Sequence, residues 1–105
     1  MKPAADPILR RFRSALDEAY GARIERVVLF GSRARGETAL DSDYDVAVFL
    51  DPYEGFGAES IRIAEIEAKI LIDTGALINA LPLLAGSHRD RTGLMQELRR
   101  EGVDL

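Results

Sequence analysis

The residues best suited to chemistry lie in one stretch, FGSRARGETALDSDYDVAVFL, at positions 30–50. Three acids, Asp41, Asp43 and Asp45, occupy every second position where an apolar run begins. Residues two apart in a strand project from the same face, so Asp43 and Asp45 are expected side by side, with Tyr44 pointing the other way. Adjacent carboxylates raise each other's pKa unless a cation lies between them. A magnesium ion, which prefers carboxylate oxygens and is often shared with substrate phosphates, would remove this conflict.

A glycine and a serine close the apolar run that precedes these acids. Gly31 permits a close approach of the backbone to a ligand, and Ser32 can donate a hydroxyl hydrogen bond. Residues 32–37 are predicted to begin a short helix whose first amides would form an anion site. Arg33 and Arg35 add positive charge there. One end of the stretch therefore suits phosphate, and the other end suits a metal ion.

Each of these features alone is weak. A Gly-Ser pair is usually only a turn, an isolated D-x-D is usually a solvated loop, and neighbouring arginines are usually surface residues. In this order, before a buried strand, they together predict a site for a nucleoside triphosphate with magnesium. A P-loop or kinase-like site is disfavoured because the sequence has no G-x-x-x-x-G-K-[ST] motif and no lysine near the glycine.

The elements that must position these residues follow from the apolar periodicity of the chain. The predicted elements are a helix over about 7–20, strands over 24–30 and 44–50, a helix over 59–73, a strand over 76–84 and a helix over 90–100. The order α-β-β-α-β-α predicts an α/β (α+β) fold in which helices pack on a small mixed sheet of three to four strands.

Two of the predicted strands carry an indication of their place in that sheet. The run 44–50 is apolar on both faces, which is typical of a strand buried on both sides. Pro82 lacks an amide donor, so the third strand is expected at an edge of the sheet. A polar loop over 38–42 is expected to join the first two strands.

Composition limits the function. The chain has 105 residues, so we expect a single domain over 1–105, and its 47% hydrophobic and 30% charged residues are typical of a globular protein. A net charge of −4 argues against general binding of nucleic acids. The absence of cysteine excludes disulfides and thiolate metal sites. No apolar run predicts a membrane span or a signal peptide, so a cytoplasmic protein is expected.

The glycine turn and the acids together, GSRARGE followed by DSDYDV, resemble the motif of the nucleotidyltransferase superfamily related to DNA polymerase beta. The sequence looks most like the minimal nucleotidyltransferases, small antitoxins that are often encoded beside a HEPN-domain toxin. The ending, LMQELRREGVDL, is similar to the terminal helix and tail of that family. The resemblance implies the nucleotidyltransferase fold for most of the chain.

The resemblance also implies a reaction. Such enzymes move a nucleoside monophosphate, here AMP from ATP or a unit of another nucleoside triphosphate, to a hydroxyl and release pyrophosphate. Gly31 and Ser32, with Arg33 beside them, would bind the nucleotide. Asp43 and Asp45 would be the catalytic residues and the ligands of two Mg²⁺ ions. Two ions that flank the phosphorus stabilise both the entering and the leaving oxygen.

One position departs from the family pattern. Active members carry a third carboxylate on the next strand, and in this chain the corresponding position is held by Asn79. An asparagine can offer a carbonyl oxygen to a metal but cannot accept a proton. Asp73 is the nearest other acid, and we expect it to be an exposed residue at the end of a helix. Either the two acids suffice, or another acid completes the site, or the domain does not catalyse.

Two functions therefore stay open. The first is an enzyme that modifies a hydroxyl of a partner protein, by resemblance a co-encoded HEPN-type toxin. The alternative is a catalytically degenerate binding module that neutralises such a partner by contact. The intact glycine turn and the acids favour the enzyme, whereas Asn79 favours the binding module.

Overall fold

The computed structural model describes residues 2–37 and 43–105. These residues form three α-helices and four strands. The elements in chain order are α1 (Pro7–Tyr20), β1 (Ile24–Phe30), β2 (Tyr44–Leu50), α2 (Phe56–Thr74), β3 (Ile78–Leu84), α3 (Gly93–Glu101) and β4 (Val103–Asp104). The predicted α-β-β-α-β-α order is confirmed, with a short strand added at the end. The predicted loop at 38–42, including Asp41, lies outside the described residues.

The strands form one mixed sheet in the order β3-β2-β1-β4. β2 is antiparallel to β1 on one side and parallel to β3 on the other. The parallel pair needs a crossover connection, which α2 supplies. β3 lies at the edge, as the proline in it predicted, and Pro82 stands opposite Val48 in the register.

The helices cover both faces of this sheet. α1 and α2 pack on one face against alternate residues of β2, among them Val46 and Val48. α3 packs on the other face, where Ala47 and Phe49 meet Met95. The alternation explains why β2 is apolar throughout, because each face of the strand enters a different core.

Capping residues fix where the helices begin. The side chain of Asp6 accepts a hydrogen bond from the amide of Ile8 at 2.8 Å, and Pro7 occupies the first helical position of α1. Thr92 accepts one from the amide of Met95, so α3 begins at Gly93 rather than at the predicted residue 90. The predicted start of α2 at residue 59 was three residues late, because its first turn contains glycine and alanine and looked like loop.

The short helix predicted to begin at residue 32 was wrong. Residues 32–36 form a hydrogen-bonded turn, in which the amide of Arg35 donates to the carbonyl of Gly31 and the amide of Glu37 to that of Ser32. Gly36 adopts a φ of +76°, outside the helical region, and this stops the helix. The segment is called the glycine turn below and comprises residues 31–37.

The C-terminal residues pack on the domain. β4 pairs with β1, and the amide of Leu105 donates to the carbonyl of Val27. The side chains of Val103 and Leu105 contact the core between the sheet and α1. Among the described residues, none of the helices has the length and apolar character that a transmembrane helix needs.

Candidate active site

The two predicted acids stand together at one end of the sheet. Asp45 is the second residue of β2, and Asp43 immediately precedes the strand. Because Tyr44 and Val46 face α1 and α2, Asp45 faces α3, on the side of the sheet opposite Tyr44. The structure therefore brings both carboxylates to the α3 face, as the spacing of two predicted. We call Asp43 and Asp45 the acid pair.

The glycine turn begins against this pair. Phe30, the last residue of β1, lies opposite Asp45 in the antiparallel register, so the chain leaves β1 at the level of the acids. Gly31 has a φ of +75°, and a Cβ atom placed on it would lie 2.5 Å from Oδ2 of Asp45. Any side chain at this position would therefore collide with the carboxylate. Gly31 is required for the approach of turn and acid, and Ser32 follows it half-buried in the turn.

Asn79, in the neighbouring strand β3, adds a third polar side chain beside the acid pair. It lies opposite Asp45 in the parallel register of β2 and β3, and its Nδ2 donates to Oδ2 of Asp43 at 2.9 Å. The position aligned with the family's third carboxylate thus reaches the acid pair. Asp73 does not: it lies in the last turn of α2, where Arg11 of α1 binds its carboxylate.

The electrostatics of the acid pair are those of two crowded anions. Burial raises the pKa of Asp45, the negative charge of Asp43 raises it further, and Glu97 of α3 adds a smaller rise. A hydrogen bond from Asn79 acts in the opposite direction and lowers the pKa of Asp45. A bound cation would favour the charged form that burial and Asp43 disfavour.

The donor set fits a divalent cation that is shared with a substrate. Carboxylate oxygens of Asp43 and Asp45 are the ligands that Mg²⁺ prefers, and Mg²⁺ is usually held by one or two carboxylates together with phosphates and water. In residues 2–37 and 43–105, no three carboxylate or imidazole groups converge to form a cage by themselves. The site is therefore suited to an ion that arrives with a triphosphate.

Arg33 of the glycine turn is stacked on the other face of β2. Its guanidinium carbon lies 3.8 Å from the centre of the Tyr44 ring. The Tyr44 hydroxyl donates to Oδ2 of Asp6 at 2.7 Å, and the other oxygen of Asp6 caps α1. Burial raises the pKa of Tyr44 to about 12, and the bond to Asp6 contributes to the rise, so the hydroxyl stays protonated. This chain of contacts ties the glycine turn to α1.

Arg35 does not point to the acid pair as a free cation. Its guanidinium forms ion pairs with Glu37 at 3.2 Å, Glu101 at 3.3 Å and Glu97 at 3.7 Å. The last two residues belong to α3, so Arg35 joins the glycine turn to that helix. The sequence-based expectation that Arg35 adds positive charge for phosphate stays a prediction, and its partners on α3 could not be foreseen because they are more than 60 residues away in the sequence.

The match to known proteins covers the glycine turn, the acid pair and Asn79. A family model described as the nucleotidyltransferase domain matches residues 9–83, from α1 to β3. This chain belongs to the nucleotidyltransferase family. The predicted resemblance is thereby confirmed, and with it the assignment of the protein as a nucleotidyltransferase.

Relatives of similar sequence occur in Methanocaldococcus jannaschii. MJ0604, which bears the name of a protein adenylyltransferase, is 32% identical over 73 residues, covering 70% of this chain and 67% of MJ0604. MJ1379, which bears the same type of name, is 38% identical over 66 residues, covering 61% of this chain and 63% of MJ1379. The nucleotidyltransferase thus aligns with about two thirds of each relative.

Solved structures share the fold. A toxin–antitoxin crystallised with AMP-PNP matches with a TM-score of 0.60 at 18% identity, covering 89% of this chain and 68% of that chain. A Sulfolobus solfataricus protein described as a nucleotidyltransferase matches with a TM-score of 0.61 at 18% identity, covering 99% and 86% of the two chains. These likenesses confirm the predicted α+β nucleotidyltransferase fold.

The residues that hold the glycine turn in place were not identified from the sequence. The hydrogen bond between Tyr44 and Asp6 and the ion pairs of Arg35 with α3 have no local pattern in the sequence. The one available indication was the recurrence of acids at spacing four in the last helix, Glu97 and Glu101, which places them on one side. Contacts between residues distant in sequence do not show in periodicity.

Proposed function

We propose that this nucleotidyltransferase transfers AMP from ATP to a hydroxyl of a partner protein in a magnesium-dependent reaction. The observation that supports the proposal most directly is the close approach of Gly31 to Asp45, since a Cβ atom at Gly31 would lie 2.5 Å from Oδ2 of that carboxylate. The names of the two relatives as protein adenylyltransferases support AMP and a protein acceptor. The neighbour crystallised with AMP-PNP supports an adenine nucleotide.

The acceptor belongs to another chain in this proposal. A toxin–antitoxin of similar fold supports a partner protein, and the family resemblance suggests a HEPN-type protein encoded beside the enzyme. Asp43 and Asp45 are half-buried at the end of the sheet, and Asn79 beside them is exposed. Such a site can receive a hydroxyl that a second protein presents.

The chemistry is an in-line displacement at the α-phosphorus. The hydroxyl oxygen of the acceptor forms a bond to this phosphorus, the bond to the oxygen bridging the β-phosphorus breaks, and pyrophosphate leaves. Solvent takes the proton of the hydroxyl, since Asn79 cannot accept one. Bound magnesium would neutralise the charge that develops on the entering and leaving oxygens. We assign two ions to the loaded site, in keeping with the two carboxylates and the triphosphate.

In this proposal, the residues of this chain mainly orient the nucleotide and bind the metal ions and phosphates. Asp43 and Asp45 would hold the metal, while Gly31 and Ser32 would approach the β- and γ-phosphates with their backbone and hydroxyl groups. Arg33 would add positive charge at the edge of the turn while its stacking on Tyr44 keeps the turn in place. Orientation of this kind accounts for much of the rate of a phosphoryl-group transfer.

The test is a transfer assay with the purified enzyme and the purified protein encoded beside it. ATP labelled at the α-phosphate should label the partner in the presence of magnesium, whereas ATP labelled at the γ-phosphate should not. Asp43→Asn/Asp45→Asn should abolish the transfer and still bind the partner. Label from the γ-position would instead indicate phosphoryl transfer and would contradict the proposal.

A second candidate function has one observation in its favour. Asn79 stands where active relatives carry an acid, so the domain would serve as a binding module that neutralises its partner by contact. In that case no nucleoside triphosphate of the four common bases labels the partner, while the two proteins still form a complex. The same assay therefore decides between the two functions.

A further inference from the structure

We propose that Asn79 is a positioning residue of the acid pair, and that it makes the site bind a divalent cation together with a triphosphate instead of alone. The inference rests on the proposed function and concerns the composition of its metal site. It begins from the hydrogen bond of 2.9 Å between Nδ2 of Asn79 and Oδ2 of Asp43.

The backbone fixes where Asn79 can reach. β2 and β3 are parallel, and their register places Asn79 opposite Asp45 and Ile78 opposite Tyr44. Ile78 is buried on the face of α1 and α2, so Asn79 points to the α3 face with the acid pair. The amide of Tyr44 also donates to the carbonyl of Leu77 at 3.0 Å, which locks the two strands together at this level.

The chemistry of the amide fixes its orientation. An ionised carboxylate has only acceptors, so Asn79 must turn its nitrogen towards Asp43. The carbonyl oxygen of the amide then lies at the other end of the group. The bond occupies one lone pair of Oδ2 and leaves the remaining oxygen positions of Asp43 for a metal. Such hydrogen bonds to a ligating carboxylate orient it, and their loss typically weakens metal binding 10- to 100-fold.

The presence of an asparagine instead of an acid at position 79 also lowers the negative charge of the site. Among the described residues, an acid at position 79 would bring three carboxylates together at the site, whereas with asparagine the acid pair supplies two, and Glu97 of α3 adds a weaker negative charge. The affinity of carboxylate sites for divalent cations rises with the number of charged ligands. Two carboxylates bind a hard cation weakly, and the phosphates of ATP supply the missing negative charge. Asn79 thereby couples metal binding to nucleotide binding.

Binding of Mn²⁺ to the protein, measured by equilibrium dialysis in which free Mn²⁺ and its complex with the nucleotide analogue both cross the membrane, tests the inference without any turnover. Wild type is expected to bind Mn²⁺ at least tenfold more tightly with a non-hydrolysable ATP analogue than without it. Asn79→Asp should bind Mn²⁺ alone at least tenfold more tightly than wild type. Asn79→Leu, which has a similar volume but no donor, should bind Mn²⁺ with the analogue about tenfold more weakly.

Controls separate this role from a structural one. Asn79 is exposed, so Asn79→Leu is expected to unfold near the temperature of wild type, whereas Asn79→Asp adds a third carboxylate beside the acid pair and is expected to unfold at a lower temperature when no metal ion is present. Asp43→Asn should lose Mn²⁺ binding in the wild-type and the Asn79→Asp backgrounds, which shows that the added acid acts at the same site.

Two different results would overturn the inference. If wild type binds Mn²⁺ with the analogue and both variants bind it equally well, Asn79 does not position the acid pair, although the proposed function stands. If wild type binds no Mn²⁺ even with the analogue, the inference and the metal-dependent function fail together.

Discussion

Gly31 and Asp45 approach each other so closely that the space a Cβ atom would need at Gly31 is already filled by Oδ2 of Asp45. Gly36, at the other end of the glycine turn, has almost the same φ, but beyond its chain neighbours no atom of the described residues lies within 4 Å of its Cβ position. The two glycines therefore separate the effect of backbone conformation from the effect of contact.

Gly31→Ala is expected to abolish nucleotide-dependent binding of Mn²⁺ and to destabilise the fold. The alanine Cβ must displace the carboxylate that would hold the metal, and the positive φ adds a cost of roughly 1 kcal/mol. Isothermal titration with the ATP analogue and urea denaturation measure the two effects.

Gly36→Ala is the matched control. It carries a similar φ of +76° and should lose a similar stability of about 1 kcal/mol, but it should keep the affinity of wild type for Mn²⁺ with the analogue. Equal loss of binding in both variants would mean that the conformation of the turn, and not its contact with Asp45, determines the site.

At the scale of the element, two carboxylates of α2 form hydrogen bonds with neighbouring parts of the chain. Glu59 is fully buried in the first turns of the helix, where Tyr20, Arg23, Arg62 and the amide of Glu54 all donate to it. Burial tends to raise the pKa of Glu59, but the bonds from Glu54, Arg23 and Tyr20 outweigh it and lower the pKa. The start of α2, the loop before it and the end of α1 are thus joined at one point.

Glu59→Gln is expected to lower the free energy of unfolding by about 2–3 kcal/mol at neutral pH, because buried donors lose a charged acceptor. A lowered pKa means that the stabilisation by Glu59 is present above the ordinary carboxyl range and is lost as the pH falls through the lowered value. Urea denaturation at several pH values should show the difference from wild type shrinking in acid.

Glu65→Gln is the control for that experiment, since Glu65 is exposed on the same helix. Its unfolding free energy should stay within about 0.5 kcal/mol of wild type. A Glu59→Gln variant as stable as this control would show that the buried carboxylate makes no net contribution.

The second carboxylate of α2 protects the edge of the sheet. Oε2 of Glu67 accepts a hydrogen bond from the amide of Ala80 at 2.8 Å, on the outer side of β3. Burial raises the pKa of Glu67, and the bond from Ala80 offsets the rise only in part. A free strand edge is a template for pairing with other chains, and Glu67 covers part of this one.

Glu67→Gln is expected to be at least as stable as wild type at neutral pH, because glutamine still accepts from Ala80 without the cost of a buried charge. In wild type the folded state holds the proton of Glu67 more tightly than the unfolded state, so its contribution to stability falls as the pH rises through the raised pKa. The difference between the two proteins in urea denaturation should therefore grow with rising pH. A difference that is constant with pH would contradict this role.

At the scale of the whole molecule, binding of the substrate is expected to raise the free energy of unfolding. A ligand that binds only the folded state at a hundred times its dissociation constant stabilises the fold by about 2.7 kcal/mol. For a domain of this size that corresponds to a rise in Tm of roughly 10 °C or more. ATP with magnesium is expected to produce such a rise, and each of them alone much less. Differential scanning fluorimetry measures it.

Asp43→Asn should abolish that rise and leave the Tm of the free protein close to that of wild type, since Asp43 precedes β2 and the amide oxygen of an asparagine can still accept from Asn79. A rise that persists in the variant would place the nucleotide away from the acid pair.

Features that depend on a local sequence pattern could be predicted, whereas features that depend on contacts between distant residues could not. β1 and β2 were predicted to the residue, because glycine or Asp-Pro follows each apolar run. Asn79 lies opposite Asp45 and donates to Asp43, a proximity that depends on the register of β2 and β3 and that periodicity alone does not show. The helix at residue 32 was wrong because the φ of Gly36 is not visible in sequence, and the partners of Glu59 and Glu67 are set by packing.

The position of β2 has a consequence for the lifetime of the site. This strand is bonded on both sides and buried on both faces, so its amide hydrogens should be among the slowest to exchange with solvent. Asp45 belongs to the strand itself, and Gly31, directly after the end of β1, lies against it. The centre of the site therefore rests on the part of the chain that opens last, and heat should remove ligand binding only when the whole domain unfolds.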